Sequence, residues 1–222
     1  MQKRYLEGKT VLITAGGTRE HIDPIRFIGN PSSGKMGYAL AQSALNRRAN
    51  VILVSGPTQL KPPKKIRFIS ITSAIDMKKA VDSCYEQSDI VICAAAVADY
   101  RPENFISNKI KKSEEKLTIQ LVKNPDILLE LGKKKGCKIL VGFAAETKDL
   151  LANAKAKLIE KNLDMIVAND VTKEGAGFES DTNIVKIITR DGEVKSLPLL
   201  SKRRVATKIF DKIVKAINGL RR

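Results

Sequence analysis

Short apolar runs rich in β-branched residues alternate along the chain with segments of helical periodicity. Residues 10–14 (TVLIT) form such a run and end at Ala15-Gly16-Gly17, which is typical of a buried parallel strand. The same pattern predicts further strands at residues 50–55, 66–71, 89–93, 138–143 and 164–168. Helices are predicted to open near Ser33, at Ser73, at Pro125 and at Lys148.

The last part of the chain has a different pattern. Residues 183–189 and 194–197 flank Asp191-Gly192 and predict an antiparallel hairpin. A terminal helix is predicted by apolar residues spaced four apart: Val205, Ile209, Ile213 and Ile217. The whole pattern predicts an α/β protein with a Rossmann-like, doubly wound, mainly parallel sheet, a C-terminal antiparallel hairpin and a terminal helix. We expect residues 9–222 to form a single domain and residues 1–8 to be a leader or linker remnant.

The composition is that of a folded globular protein. The chain has 222 residues, of which 43% are hydrophobic and 29% charged, and this excludes disorder as its main state. No apolar run approaches the roughly 18 residues that span a bilayer, and the first residues lack the apolar core of a secretory signal. Cys84, Cys93 and Cys137 form no C-x-x-C pair, so neither disulfides nor structural zinc are expected. We expect a cytoplasmic protein without a membrane partner.

The net charge of +16 raises the question of nucleic-acid binding. Residues 201–222 hold eight lysines and arginines against the single acid Asp211, on the same segment as the apolar stripe. We interpret them as a solvated basic helix face. Aromatic residues make up only 5% of the chain and tryptophan is absent, so platforms for base stacking are sparse. We therefore expect no nucleic-acid partner, and a basic nucleic-acid-binding protein remains the alternative.

The unusual segments follow the predicted strands, where doubly wound folds bind their ligands. They are residues 15–20, 30–37, 94–99, 143–147 and 169–178. Residues 98–116 form a long connection without helical periodicity, which is typical of a functional loop. In it, Lys109-Ile110-Lys111-Lys112 suits a triphosphate clamp, although a solvated charge run is the simpler alternative.

The sequence resembles two nucleotide-binding motifs without matching either of them. Residues 29–36 resemble a P-loop, but Met36 stands where a Ser or Thr would ligand magnesium. Ser32-Ser33-Gly34 at a helix start still suits an anion, with an ordinary N-cap as the alternative. The first strand is not followed by G-x-G-x-x-G, so an NAD(P)-dependent reductase is the weaker α/β interpretation. His21, the only histidine, is expected to be a surface residue.

Eight ordered motifs together resemble the phosphopantothenoylcysteine synthetases of coenzyme A biosynthesis, in their bacterial, CTP-using form. They are residues 11–23 (VLITAGGTREHID), 30–37 (NPSSGKMG), 95–100 (AAVADY), 109–112 (KIKK), 122–127 (VKNPDI), 141–147 (VGFAAET), 161–171 (KNLDMIVANDV) and 177–183 (GFESDTN). The resemblance covers nearly the whole chain from Lys9. His21 and Pro31 depart from the expected pattern, and Pro31 should push Asn30 toward an extended backbone.

The resemblance implies a ligase that joins 4′-phosphopantothenate to L-cysteine through an acyl-cytidylate made from CTP, with Mg²⁺. It also implies a homodimer, formed through the region after Tyr100, and a phosphopantothenoylcysteine decarboxylase as a fused domain or partner. Asn30 and Lys109 would be catalytic, and Asn30, Ser32 and Ser33 would bind the acyl substrate. The nucleotide-binding residues would be Cys93, Ala94, Ala95, Asp99, Lys109, Pro125, Asp126, Ile127, Leu128, Phe143, Lys157 and Lys161. No metal ligands are assigned.

The chemistry of these residues suits that reaction. A lysine and magnesium can stabilise the negative charge that develops when a carboxylate attacks a phosphorus. The carboxamide of Asn30 is neutral, so it can hydrogen-bond a reactive acyl phosphate without attacking it. Because the side chains near Phe143 and Ala144 are small or apolar, we expect backbone groups to read the base and to favour CTP over ATP.

Overall fold

Six of the apolar runs form the parallel strands of a central sheet in this computed structural model, which describes residues 5–111, 116–146, 149–170, 177 and 180–219. Their spatial order is β10 (Met165–Asp170), β9 (Ile139–Glu146), β6 (Ile90–Cys93), β1 (Thr10–Ala15), β4 (Asn50–Ser55) and β5 (Arg67–Ser70). Beyond β10 lie two antiparallel strands, β12 (Val185–Thr189) and β13 (Val194–Ser196). The predicted fold class and C-terminal hairpin are confirmed.

Helices cover both faces of this sheet, as the doubly wound prediction requires. One face carries α1 (Lys35–Leu45) and α5 (Lys202–Gly219). The other carries α2 (Ala74–Tyr85), α3 (Ile127–Lys133) and α4 (Leu150–Glu160). Alternate residues of a strand enter the two cores: on β1, Val11 and Ile13 join the first and Leu12 the second. Because both faces are buried, the strands read as continuous apolar runs.

Three short antiparallel ribbons complete the fold, and two of them lie beside the site described below. They are β2 (Arg19–His21) with β3 (Phe27–Gly29), β7 (Tyr100–Pro102) with β8 (Leu121–Lys123), and β11 (Thr182–Asn183) with β14 (Leu200–Ser201). The sequence did not predict them, because two or three residues are too few to establish an alternating pattern.

Two helix starts differ in detail from the prediction, and a third, predicted at Lys148, lies outside the described residues. The first helix was predicted to open near Ser33 and begins at Lys35; Gly34 at its N-cap has a φ of 76° and no side-chain cap. The alternative of an ordinary side-chain N-cap in Ser32-Ser33-Gly34 is therefore wrong. The α3 helix begins two residues after Pro125, because the Asp126 carboxylate is the cap and accepts a 2.9 Å bond from the Leu129 amide.

The terminal segments also differ in detail from their interpretation. The stripe of α5 is buried as predicted, but Lys202 at its start is only 6% exposed, so the solvated-face interpretation fails at this residue. Leu6, which we assigned to a leader or linker remnant, is fully buried in the first core. Residues 1–4 and Lys112 lie outside the described residues, as does most of 169–178. In the described part of the chain, no helix could cross a membrane.

Candidate active site at the carboxyl edge of the sheet

Two adjoining cavities open where the parallel strands end. The first, of about 470 Å³, lies between the ends of β1, β6 and β9 and the start of α3. The second, of about 290 Å³, lies in front of the first turn of α1. Both are lined by Ala95, Val97, Asp99 and Phe143. We call the first the α3 compartment and the second the α1 compartment; their shared wall makes them one site.

The structure brings nearly all of the predicted site residues into these two compartments. The α3 compartment is lined by Cys93, Ala95, Asp99, Pro125, Asp126, Ile127, Leu128, Phe143 and Lys161. The α1 compartment is lined by Asn30, Ser32, Ser33, Ala94 and Lys157, together with the shared residues. Lys109 lines neither and is exposed on the connection between β7 and β8. His21, expected at the surface, is half-buried beside Phe27 and also lines neither.

A larger hollow, of about 900 Å³, lies at the opposite edge of the sheet. Its carboxylates tie down the starts of strands. Asp89 pairs with Lys9 at 2.6 Å and accepts the Thr10 amide, and Asp164 pairs with Lys135 at 2.6 Å. These charged groups are thus paired with other parts of the fold, and doubly wound sheets bind their ligands at the carboxyl edge instead. The carboxyl edge is therefore the candidate site.

A fixed backbone forms the wall shared by the compartments. Ala96 makes an isolated parallel bridge with Gly17, and its amide donates to the Gly16 carbonyl at 2.8 Å. The Ala98 amide donates to Thr18 Oγ1 at 3.0 Å, while the Ala98 carbonyl accepts from Asn124 Nδ2 at 2.8 Å. With both sides of this segment bonded, the wall between the compartments is held in one conformation.

Asn30 lies against this wall. It follows directly after β3, and its Nδ2 donates to the Val97 carbonyl at 3.2 Å. The bond orients a neutral carboxamide at the α1 compartment, next to the wall residues that both compartments share. A group in this position can hydrogen-bond a ligand that extends through both compartments.

One ion pair shapes the α3 compartment. Lys161 Nζ donates to Asp126 Oδ2 at 2.6 Å, while Asp126 Oδ1 caps α3. The carboxylate therefore fixes the helix start and the lysine together. An anionic ligand in this compartment would compete with Asp126 for Lys161, while Asp126 would keep its bond from the Leu129 amide.

The thiol of Cys93 is held in its protonated form. Burial is the main cause that raises its pKa to about 12, and the negative charge of Asp126 adds to the effect. Lys161 and a hydrogen bond with Thr14 act in the opposite direction but do not outweigh them. Since the thiolate is the nucleophilic form, Cys93 is a wall residue rather than a nucleophile.

Several lysines make the α1 compartment cationic, and one of them, Lys202, was not among the site residues predicted from the sequence. Lys202 is buried there, where its Nζ donates to the Ser180 carbonyl. Desolvation lowers the pKa of Lys202, and the nearby charge of Lys35 lowers it further. Lys35, on the first turn of α1, pairs with Asp181 at 2.7 Å. Two lysines at the uncapped start of a helix suit a phosphate. No signal separated Lys202 from its exposed basic neighbours.

A mainly parallel sheet with helices on both faces and a polar cleft at its carboxyl edge defines a Rossmann-like α/β protein with a candidate ligand site at that edge. Residues 6–217 match the DNA/pantothenate metabolism flavoprotein C-terminal domain, and the chain belongs to this family. This agrees with the resemblance seen in the motifs.

The curated relatives of this chain have names that refer to coenzyme A biosynthesis. The chain is 54% identical over 209 residues to the coenzyme A biosynthesis bifunctional protein CoaBC of Bacillus subtilis (strain 168), covering 94% of this chain and 52% of that protein. It is 45% identical over 213 residues to the protein of that name from Escherichia coli (strain K12), with the same two coverages, 94% and 52%. The chain therefore spans about half the length of these relatives.

Solved structures identify which part it matches. The chain superimposes on the C-terminal domain of a coenzyme A biosynthesis bifunctional protein CoaBC with a TM-score of 0.85 and 46% identity, covering 98% of this chain and 100% of that one. The DNA/pantothenate metabolism flavoprotein from Streptococcus pneumoniae gives 0.79 and 26%, with coverages of 92% and 97%. The family resemblance is confirmed.

The protonation of Cys93 is testable by alkylation. With a pKa of about 12, only about one thiol in ten thousand is ionised at pH 8. We expect iodoacetamide to modify Cys93 at least about tenfold more slowly than the exposed Cys137 at pH 8, as measured by peptide mass mapping. Equal rates at the two positions would contradict the assignment of Cys93 as a protonated wall residue.

Proposed function

We propose that this chain is a CTP-dependent phosphopantothenate–cysteine ligase. The carboxylate of 4′-phosphopantothenate attacks the α-phosphorus of CTP, so that an acyl-cytidylate forms and pyrophosphate leaves. The amine of L-cysteine then attacks the acyl carbon, the bond to CMP breaks, and 4′-phosphopantothenoyl-L-cysteine forms. The names of the relatives support coenzyme A biosynthesis, and the match to their C-terminal domain supports this step of it.

The observation that carries the proposal is the pair of compartments with one shared wall. An acyl-cytidylate has a nucleotide at one end and a phosphate-bearing acyl chain at the other. The α3 compartment offers apolar walls and fixed backbone groups, whereas the α1 compartment offers cations. The reacting acyl phosphate would then lie at the shared wall, within reach of Asn30.

The α3 compartment suits a pyrimidine base. Its side chains include Ala95, Ile127 and Phe143, which provide apolar contact for a base. Cytosine carries a donor amine beside acceptor atoms, a pattern that fixed backbone groups can match while excluding the larger purine. This supports CTP rather than ATP as the co-substrate.

The α1 compartment suits the 4′-phosphate of the acyl substrate. Lys202 and Lys35 would neutralise the dianion, and backbone amides at the start of α1, which has no side-chain cap, would add hydrogen bonds. Ser32 and Ser33 line the same cavity and offer hydroxyl groups. A buried lysine loses little conformational freedom on binding, which favours it over the exposed lysines of the chain.

Magnesium fits this donor set as an ion that arrives with the nucleotide. The described residues contain no cluster of three His, Cys, Asp or Glu side chains that could form a metal cage. Asp126 is paired with Lys161, which leaves Asp99 as the exposed carboxylate that lines both compartments. Asp99 would hold Mg²⁺ together with the phosphates, which is the usual arrangement for this ion. When bound, it would neutralise charge on the triphosphate.

The proposed assembly is a homodimer formed through the connection after Tyr100. Large apolar side chains are exposed on and beside the β7–β8 ribbon: Tyr100, Phe105, Ile106, Leu117 and Leu121. Such a patch is typical of a protein interface. Lys109 lies on the same connection and outside the cavities of its own chain, so its proposed role as a phosphate clamp depends on this assembly. The decarboxylase remains a proposed further partner.

A reconstitution assay tests the proposed function. We expect the chain to release pyrophosphate only when CTP, 4′-phosphopantothenate and Mg²⁺ are all present, and to form the amide when L-cysteine is added. ATP should give a kcat/KM at least about tenfold lower, because a pocket that pairs with one base rejects others. NADPH oxidation, or salt-sensitive binding to random duplex DNA, without pyrophosphate release would favour the alternatives instead.

Replacing Asn30 by Asp tests its place at the wall. The variant exchanges a donor for a negative charge that faces the Val97 carbonyl and the reacting phosphoryl group. Amide formation should fall about 100- to 1,000-fold, as for a lost oxyanion donor, while pyrophosphate release falls less. Single-turnover measurement of both steps checks this, with exposed Asn46→Asp as the matched control. An equal loss in both steps would make Asn30 a binding or folding residue.

The dimer is testable by light scattering. At micromolar concentration we expect a mass near twice the 24.4 kDa of the chain. Leu121→Lys should shift the mass toward the monomer, because it places a charge in the apolar patch. Ile159→Lys adds the same charge at another exposed apolar residue, on α4, and should leave the mass unchanged. A monomeric parent chain would refute this assembly.

A further inference from the structure

Asp23 is a buried carboxylate that lies outside both compartments. It lies in the turn between β2 and β3, and its side chain has no solvent exposure. Its Oδ1 accepts the amides of Ile25 at 2.8 Å and Arg26 at 2.7 Å, which closes the turn on itself. These two bonds account for one oxygen and for the local fold of the hairpin.

The second oxygen reaches a distant part of the chain. Oδ2 accepts the Ile110 amide at 3.2 Å and Arg26 Nη1 at 3.2 Å, while Arg26 Nη2 donates to the Ile110 carbonyl at 3.2 Å. Asp23 and Arg26 therefore bind both polar groups of the Ile110 residue. A further bond from the Ile106 amide to the Ile22 carbonyl, at 2.9 Å, lies alongside. We call these contacts of Asp23 and Arg26 with Ile110 the latch.

The charge on Asp23 is maintained by its surroundings. Burial by itself would raise the pKa of Asp23, but bonds from the amides of Arg26, Ile25 and Ile110, in that order, lower it below its usual value. The charge of Arg26 adds to this lowering. Hydrogen bonds from these four donors to a buried, charged carboxylate are stronger than bonds to a neutral side chain in the same place.

The latch joins the two segments that carry the proposed catalytic side chains. Asn30 follows β3, the strand that leaves this turn, and Lys109 immediately precedes Ile110. Apart from Ile110, residues 103–111 are exposed, so few apolar contacts hold them in place. Resting on the proposed function, we propose that Asp23 is a positioning residue for Lys109, which it fixes by binding Ile110 together with the Arg26 guanidinium.

The Asp23→Asn variant separates the latch from the turn. An asparagine keeps one oxygen for the amides of Ile25 and Arg26, so the hairpin should still close. Its NH₂ group replaces the oxygen that accepted from Ile110 and Arg26. The N–H groups of the asparagine would then face the Ile110 amide and the Arg26 guanidinium, which are themselves donors. Asp76→Asn is the matched control, because the Asp76 carboxylate accepts the Ser73 amide at 3.1 Å in the capping box of α2, away from the latch.

Amide hydrogen exchange of the full chain tests the latch without reference to catalysis. In Asp23→Asn, the Ile110 amide should exchange at least about tenfold faster, as expected when a hydrogen bond to a charged group is lost. Trypsin should also cleave faster after Lys109. Neither rate should change in Asp76→Asn. An unchanged Ile110 exchange rate in Asp23→Asn would overturn the proposal.

A double-mutant cycle tests whether the latch acts through Lys109. Asp23→Asn should lower pyrophosphate release at least about tenfold in the parent chain, but by no more than about twofold in the Lys109→Gln background. Equal losses in both backgrounds would mean general destabilisation and would overturn the positioning role. If the parent chain releases no pyrophosphate, the proposed function is what fails, and Ile110 exchange still decides whether the latch exists.

Discussion

The site depends on a close approach of backbones that only glycine permits. A Cβ on Gly56, after β4, would lie 2.1 Å from the Gly17 carbonyl oxygen, and a Cβ on Gly17 would lie 2.6 Å from the Asn30 carbonyl oxygen. Gly16, which precedes Gly17, has a φ of 74°, a backbone conformation that strongly favours glycine. The loops after β1, β3 and β4 therefore meet backbone to backbone, and any side chain at these glycines would push them apart.

This close packing determines how the site can recognise a ligand. Because the loops meet without side chains between them, the Gly17–Ala96 bridge forms and fixes the wall that both compartments share. Asn30 gains its orientation from the same wall, through Val97. The wall at the centre of the site is thus rigid and carries the carboxylate of Asp99, while the cations lie on either side of it, Lys161 in one compartment and Lys202 in the other. A preorganised wall with cations on both sides suits a reaction between two anions.

The sequence predicted those parts of the molecule in which one physical signal dominates. Five of the six parallel strands are largely buried on both faces, so their apolar runs gave a clear signal, whereas β5 at the edge of the sheet is largely exposed. The motif segments follow the strands at the carboxyl edge. The β2–β3 ribbon has no such signal, because its three-residue strands are held by Asp23 rather than by a pattern. Lys202 could not be separated from exposed lysines on the same helix, since burial of a charge depends on what packs against it. Lys109 was predicted as a clamp from the charge of its cluster, yet charge alone did not locate it relative to the cavities.

Lys109 is exposed on a connection, which distinguishes it from the other residues of the proposed reaction. The residues proposed to bind the ligand lie on the carboxyl edge of the sheet, where strand ends and helix starts are held by the two cores. Lys109 instead lies on a connection whose link to the fold runs through Ile110 and the Asp23–Arg26 pair. Under the proposed function, a charge needed while pyrophosphate forms and leaves gains from this link, because a cation that is already positioned need not be ordered as the negative charge develops. The geometry around Asp23 therefore couples a stable scaffold to a lysine whose position can be lost without disturbing either core.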